Sequence, residues 1–487
     1  MIYLLIELFF FGLLTTNFCY KKLPDLFLSL TAPLMGLISY VFNALILLLL
    51  HISLTSTFIM AVIGVEIIVL VIYQISHKEK FPPLKSSLYP GYLLVGLVYG
   101  AVLFFFYRFN YTYGTNDSFY MIVMARNIIT TGLSKWYFAS PAGMGIFVPI
   151  LQTLGMLFGL DYTWFIQPFM SVVFLCLFFY FCYQCWRGHQ VKPLAAIALS
   201  ALVIGVILST NIILIFVTYI HTNFDTGLFL FLSLVTLFSS VKENNQNWLF
   251  FTAIFLIAFG MMRVENVVFA LMMIVIIVVD GSLSHQKLLA TFLPYLVLQF
   301  LWLVQVLTMK TDSPTDQMSP AMIAIVLAGI IVVGFILLFS EMKLIRRFFS
   351  RIFPKLFPLV LIVALAIVSI LKPELMWQDL VANLTNMFLT GAWGVMWWFI
   401  VIVSIILLFA APQVVQEHIY LYLISSFFVM IMLLGFFRAP YHVDWYDSAN
   451  RMYVHILPVA LLYLVDKVGI WSERGAHLKN QARADPG

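Results

Sequence analysis

The chain has 487 residues, of which 63% are hydrophobic and 10% charged, with a mean hydropathy of +1.04 and a formal net charge of +5. A water-soluble fold needs a polar skin over its interior, and a chain with so few charges does not supply one, so a soluble globular protein is excluded. The positive balance is no signal for nucleic acid, because Lys and Arg flank apolar runs instead of forming a basic face of their own.

Apolar runs of membrane-crossing character recur along the whole length. The first four, at 2–19, 30–51, 56–76 and 91–107, form an N-terminal four-span segment over 1–107. Residues 1–20 lack the basic n-region and small-residue cleavage site of a secretory leader, so they read as a first span. Residues 108–162 are the longest stretch that does not read as membrane helix throughout, and they carry Asp117, Arg126 and Lys135. Core spans follow over 163–285, at 163–185, 194–216, 226–241, 248–262 and 267–280, with 288–307 next. The C-terminal segment over 286–466 continues with 321–340, 357–371, 392–411, 418–436 and 452–466, and a polar tail, expected to be disordered, closes the chain over 467–487. Several runs are short for a hydrocarbon core of about 30 Å, which implies tilt or local thinning. The fold class is thus an all-α polytopic membrane protein of about fifteen spans.

Basic residues resist transfer to the outside, so their distribution orients the chain. With Lys21 and Lys22 inside and the spans alternating, most of the 26 Lys and Arg residues fall on the inner side, including the run KLIRRFFSRIFPK at 343–355. Only Arg108, Arg126, Lys135, Arg263, Lys310, Lys372, Arg438 and Arg451 fall outside. The same count decides residues 142–159. Were they a span, every later loop would invert and the basic run would face out. Pro149 and four glycines also make a poor lone helix there, so the stretch is expected to be a juxtamembrane or re-entrant helix within the outward loop.

Charges left beside a membrane are costly unless they are paired or used. Asp117 opens DSFYMIVMARNI, an apolar run fit to lie along the interface as a helix. It is either that helix's N-terminal cap or a general base that takes a proton from a hydroxyl. Asp225, in IHTNFDTGLFLF, is either a helix N-cap or a site residue. Arg263 and Glu265 stand between two apolar runs, as a structural ion pair or as a grip on a phosphate group. His442, Asp444, Asp447, Arg451 and His455 gather near the last span and read as a polar rim in preference to a metal site. Glu7 and Glu66 lie inside apolar runs, as structural carboxyls or proton relays. Cys182-Tyr-Gln-Cys185 has redox or metal spacing but ends an apolar run with no second pair nearby, so its thiols read as ordinary. Asn110, Asn116 and Asn383 match the glycosylation sequon, a match that chance supplies.

The loop also resembles the first outer loop of the GT-C glycosyltransferases, the group that includes protein mannosyltransferases and the aminoarabinose transferases of lipid A. The resembling parts are Asn116-Asp117, the helix Ser118–Ile129, the small-residue break Gly132–Pro141, and the segment Gly145–Leu160 with Pro149 and Phe158-Gly159. Asp225 and Arg263-Val-Glu265 stand where members carry acidic and basic residues at later span junctions, and Asn450-Arg451 with Pro458 resembles the last-span pattern of some bacterial members. Two departures stand out: Asn116 replaces one of the paired acids many members have, and four spans precede the loop where one is usual.

What the resemblance implies is transfer of a sugar from a polyprenyl-phosphate donor to a hydroxyl of an envelope acceptor (teichoic acid, polysaccharide, lipid or protein) on the outer face of the cell membrane. Asp117 would be the base. Arg263, with Arg126 or Arg451, would meet the phosphate, and Lys135, Asp225 and Glu265 would complete the binding set. No metal or cofactor is implied, and Trp136, Tyr137, Trp445 and Tyr446 read as an interface belt or as rings that stack on sugar. The competing class is a multi-pass transporter or lipid flippase that uses Glu66 and the outer charges as a path.

Overall fold

The computed structural model describes residues 1–17, 23–77, 89–109, 116–133, 135–136, 145–218, 220–308, 310–311, 320–411, 413–414, 417–437 and 440–484. Long apolar runs with few glycines leave helix as the one backbone state that satisfies every N–H and C=O without water. The chain takes that state almost throughout. Apart from one two-residue parallel bridge, in which Lys135 pairs with Lys310 and Trp136 with Thr311, the regular structure among the described residues is helical. This is an all-α, multi-pass membrane protein.

Nine helices among the described residues are long and apolar enough to cross a membrane, or ten if one bent pair is counted as a span. The expectation of about fifteen spans is therefore met only in part. The run expected at 194–216 is broken into α8 (Pro193–Leu208) and α9 (Asn211–Thr218), bent by 88°. The runs at 2–19, 248–262 and 392–411 form helices of 16, 16 and 15 residues. At 1.5 Å per residue these reach only about 24 Å, short of a core about 30 Å thick.

The chain divides into two compact units. The first comprises Met1–Leu177, Phe216–Ala270 and Gln286–Gly334. It opens with α1 (Ile2–Asn17), α2 (Asp25–Leu49), α3 (Ser56–Ser76) and α4 (Tyr89–Phe109). Gly12 and Gly36 let α1 and α2 touch: a Cβ at either would collide with the Ala32 or Leu8 carbonyl of the other helix, the close approach that small residues permit in membranes. Then come α5 (Asn116–Thr131) and the short α6 (Phe147–Met156), buried along almost its entire length. At 10 residues, α6 spans about 15 Å and does not cross a membrane. Tyr40 of α2 meets Thr153 of α6 at 2.7 Å, oxygen to oxygen. Thr163 is held by Gln152 from both sides, its N–H donating to Oε1 (2.8 Å) and its hydroxyl to the Gln152 carbonyl (2.9 Å). These bonds fix the return from α6 into α7 (Ile166–Gly188). The unit is completed by α10 (Thr222–Glu243) and α11 (Asn247–Met262), an antiparallel hairpin, the start of α12 (Val264–Asp280), α13 (His285–Thr308) and most of α14 (Pro320–Leu338).

The second unit comprises Phe178–Ile215, Leu271–His285 and Phe335–Gly487. After α15 (Lys343–Arg347) a π turn leads into α16 (Phe353–Leu371), then α17 (Pro373–Thr385), α18 (Met396–Ala410), α19 (Glu417–Phe437) and α20 (Ser448–Ala484). A buried pair of Lys467 and Glu417, 3.0 Å apart, joins α19 to α20, and Tyr463 adds a hydrogen bond to the same carboxylate. The tail is not irregular, as expected from its polarity. α20 runs to Ala484, because the sequence after Lys467 is rich in residues with high helix propensity and continues a helix already nucleated inside the bundle.

Candidate functional site

Three helix starts in the first unit carry Asp117, Arg263 and Glu265 of the residues singled out in the sequence. Asp117 lies in the first turn of α5, where a carboxylate is favoured by the free N–H groups of the helix end. Opposite it is His221, the N-cap of α10, whose Nε2 is 3.7 Å from Asp117 Oδ2. His221 Nδ1 accepts the backbone N–H of Asn223 at 3.3 Å. A nitrogen that accepts carries no proton, so the neutral ring has its N–H on Nε2, the nitrogen 3.7 Å from Asp117 Oδ2.

The α11–α12 junction supplies the basic side. Arg263 is extended (φ −159°, ψ 152°) between the two helices, and Glu265 is in the first turn of α12. Arg263 Nε donates to Glu265 Oε1 at 2.7 Å, with the two side chains only 13% and 5% exposed. A second guanidinium nitrogen reaches Asn223 Oδ1 at 3.5 Å. Asn266 pins the junction by donating to the Phe259 carbonyl at 2.9 Å and to Thr226 on α10 at 3.3 Å. The chain before α6 docks on the same place, with Ile146 N–H donating to the Met261 carbonyl at 3.0 Å. Gly145 makes this possible: its φ is +73°, and a Cβ there would strike the Met262 carbonyl oxygen.

Asp225 is not a helix cap. It lies one turn inside α10, fully buried, and His221 holds the cap position instead. Gln167 of α7 donates to Asp225 Oδ1 at 3.0 Å, while Oδ2 has no hydrogen-bond partner. Asp225 therefore props the back of α10 from inside.

The remaining residues are placed otherwise. Arg126 is nine positions after Asp117 on α5, and nine steps of about 100° put the two on opposite sides of the helix. Its guanidinium, 60% exposed, is 3.4 Å from Asp161, itself 90% exposed. The side chains of Lys135, Trp136, Tyr137, Asn110 and Asn116 lie outside the described residues. Arg451 belongs to the second unit, one turn inside α20, with its guanidinium 5.0 Å from the centre of the Tyr446 ring. Around it, Asp447 accepts the N–H groups of His442 (3.0 Å) and Ala449 (2.8 Å), and Asp444 that of Tyr446 (3.0 Å). These carboxylates terminate backbone turns. Asn383 is buried and hydrogen-bonded to Asp379 and Tyr453, which rules it out as a glycan acceptor. Glu66 accepts from Asn43 at 2.8 Å.

His221 and Asn223 are the members that sequence reasoning did not single out. The signal was present as a histidine four residues before Asp225 at a helix start, but nothing in the spacing said it would face Asp117. As for metals, Asp117 and His221 offer two donor atoms here. Among the described residues, the group with three donors in mutual reach is elsewhere: Cys185, His189 and Asp466. Comparison of the chain with protein-family models, curated proteins and solved structures gives no match.

Proposed function

We propose that this chain is a GT-C-type glycosyltransferase of the cell membrane, moving a sugar from a polyprenyl-phosphate donor to a hydroxyl of an envelope acceptor at the outer face. The observation that carries the reading is the pairing of Asp117 with His221 beside the Arg263–Glu265 junction. A carboxylate oriented by an imidazole N–H, next to a guanidinium, is a base set beside an anion grip.

In this reading the acceptor hydroxyl attacks the anomeric carbon as the bond to the lipid phosphate breaks, with inversion. Asp117 takes the hydroxyl proton, and His221 keeps the carboxylate pointed at it. Arg263 meets the charge that grows on the leaving phosphate, aided by the positive ends of the α10 and α12 helix dipoles. Glu265 and Asn223 hold the guanidinium in place, and Asp225 with Gln167 stiffens the turn that carries His221. Arg126, on the opposite side of α5 from Asp117, would act on lipid headgroup or acceptor.

Purified protein in lipid nanodiscs, given candidate polyprenyl-phosphate sugars and hydroxyl acceptors, tests the assignment through Asp117→Asn. Folded Asp117→Asn protein should lose transfer. Turnover at the wild-type rate by that variant would remove Asp117 from the chemistry.

A further inference from the structure

The second unit holds a group of side chains that the proposed transfer does not use. Cys185 and His189 are four residues apart around the C-terminal end of α7, so both fall on one face. Asp466, Gly469 and Glu473 follow at i, i+3 and i+7 on α20, a second single face. The two faces meet: His189 Nε2 is 2.9 Å from Asp466 Oδ1, and Cys185 Sγ is 3.5 Å from the same oxygen. Gly469 lets the imidazole lie flat on α20, since a Cβ there would collide with His189 Cδ2. On the far edge of the ring, Nδ1 is 3.4 Å from Glu473 Oε2. Cys182, one turn earlier, is fully buried and takes no part in the group.

We propose that Cys185, His189 and Asp466 form a binding site for a borderline transition-metal ion, Zn²⁺ by preference, that clips the end of α7 to α20. The donor atoms lie within 4.8 Å of one another. A tetrahedral zinc with Zn–N and Zn–O near 2.1 Å and Zn–S near 2.3 Å has edges of about 3.4 Å (N to O) and about 3.6 Å (S to O). The S-to-O separation of 3.5 Å already matches its edge, and the N-to-O separation of 2.9 Å must open by about 0.5 Å to admit the ion. Thiolate, imidazole and carboxylate together favour zinc over the hard cations Mg²⁺ and Ca²⁺, which take oxygen alone. Glu473 is placed where metal-binding histidines keep a carboxylate on their other ring nitrogen, fixing the tautomer that leaves Nε2 for the ion. Three protein ligands leave the fourth position to water.

The probe is Co²⁺, then Zn²⁺, added to the purified, chelator-stripped full chain in detergent. Wild-type protein should show a thiolate-to-cobalt charge-transfer band in the near ultraviolet and keep one zinc per chain through desalting. Cys185→Ser should remove the band, and His189→Ala should remove the retained zinc. Glu473→Gln should weaken zinc binding by about 10- to 100-fold while leaving the band's shape. The wild-type band needs no variant to fold, so its absence overturns the proposal outright. Equal zinc retention by wild type, Cys185→Ser and His189→Ala, each eluting as a single species, would also overturn it.

Discussion

Replacing Glu265 by Gln separates what the Arg263–Glu265 pair does for the fold from what it does for the reaction. The side chains are 13% and 5% exposed and 2.7 Å apart, so the substitution leaves a buried guanidinium without its counter-charge. Breaking one partner of such a pair costs about 3–5 kcal/mol. The Gln carbonyl can still accept from Arg263 Nε, and Asn223 remains 3.5 Å from the guanidinium, which puts the cost at the lower end. About 3 kcal/mol is a factor on the order of 100 in the folding constant. Reversible unfolding in mixed micelles by SDS titration measures it, and Glu265→Gln should unfold at clearly lower SDS fraction than wild type. Replacing both partners, as Arg263→Met with Glu265→Leu, should restore stability to near the wild-type value, because removing both charges also removes their desolvation penalty. That double variant should be stable and inactive. If Glu265→Gln unfolds with wild type, or the double variant is weaker than the single one, the pair is not the buried clamp described.

Gly145→Ala places a side chain at φ +73° against the Met262 carbonyl, and left-handed strain plus overpacking should cost about 2–5 kcal/mol in the same titration; an unchanged transition would mean that the α6 entry does not dock as described. Asp225→Asn keeps the shape of a buried carboxyl that has one donor, Gln167, and one oxygen without a partner. It should leave stability equal or higher, and a loss above about 1 kcal/mol would reveal a partner for the charge. Asp379 of α17 is fully buried, and burial pushes its carboxyl above the ordinary range, with the Asp447 charge adding to the rise against the Tyr441 N–H and His442. A carboxyl raised on folding gives stability that is complete below its unfolded pKa and is lost as pH rises through the folded one. Asp379→Asn should flatten that fall in an SDS titration repeated across pH, and an unchanged slope would place the dependence elsewhere.

Membrane character was legible because it rests on a strong term, the transfer of long apolar runs into hydrocarbon. The 10-residue, almost wholly buried α6 has the length expected of a helix that does not cross. Arg126 was legible too, in principle: nine positions from Asp117 is a half-turn remainder, and helical periodicity alone separates them. Of the two readings of Asp225 the cap fails, because a carboxylate near a helix start looks like a cap while the residue that caps, His221, is not the usual type. The break between α8 and α9 lies at Ser209-Thr210, in an apolar run with no proline to announce it. The meeting of Cys185, His189 and Asp466 was out of reach, since some 280 residues separate partners that only tertiary packing brings together.

The central claim is that lipid phosphate is the leaving group of a sugar transfer, and its release is the most direct measurement. Nanodisc-embedded protein should convert a radiolabelled polyprenyl-phosphate sugar to free polyprenyl phosphate only when a hydroxyl acceptor is present, with equal label appearing in the acceptor at inverted anomeric configuration. Release with no label transferred, or product of retained configuration, would contradict the account.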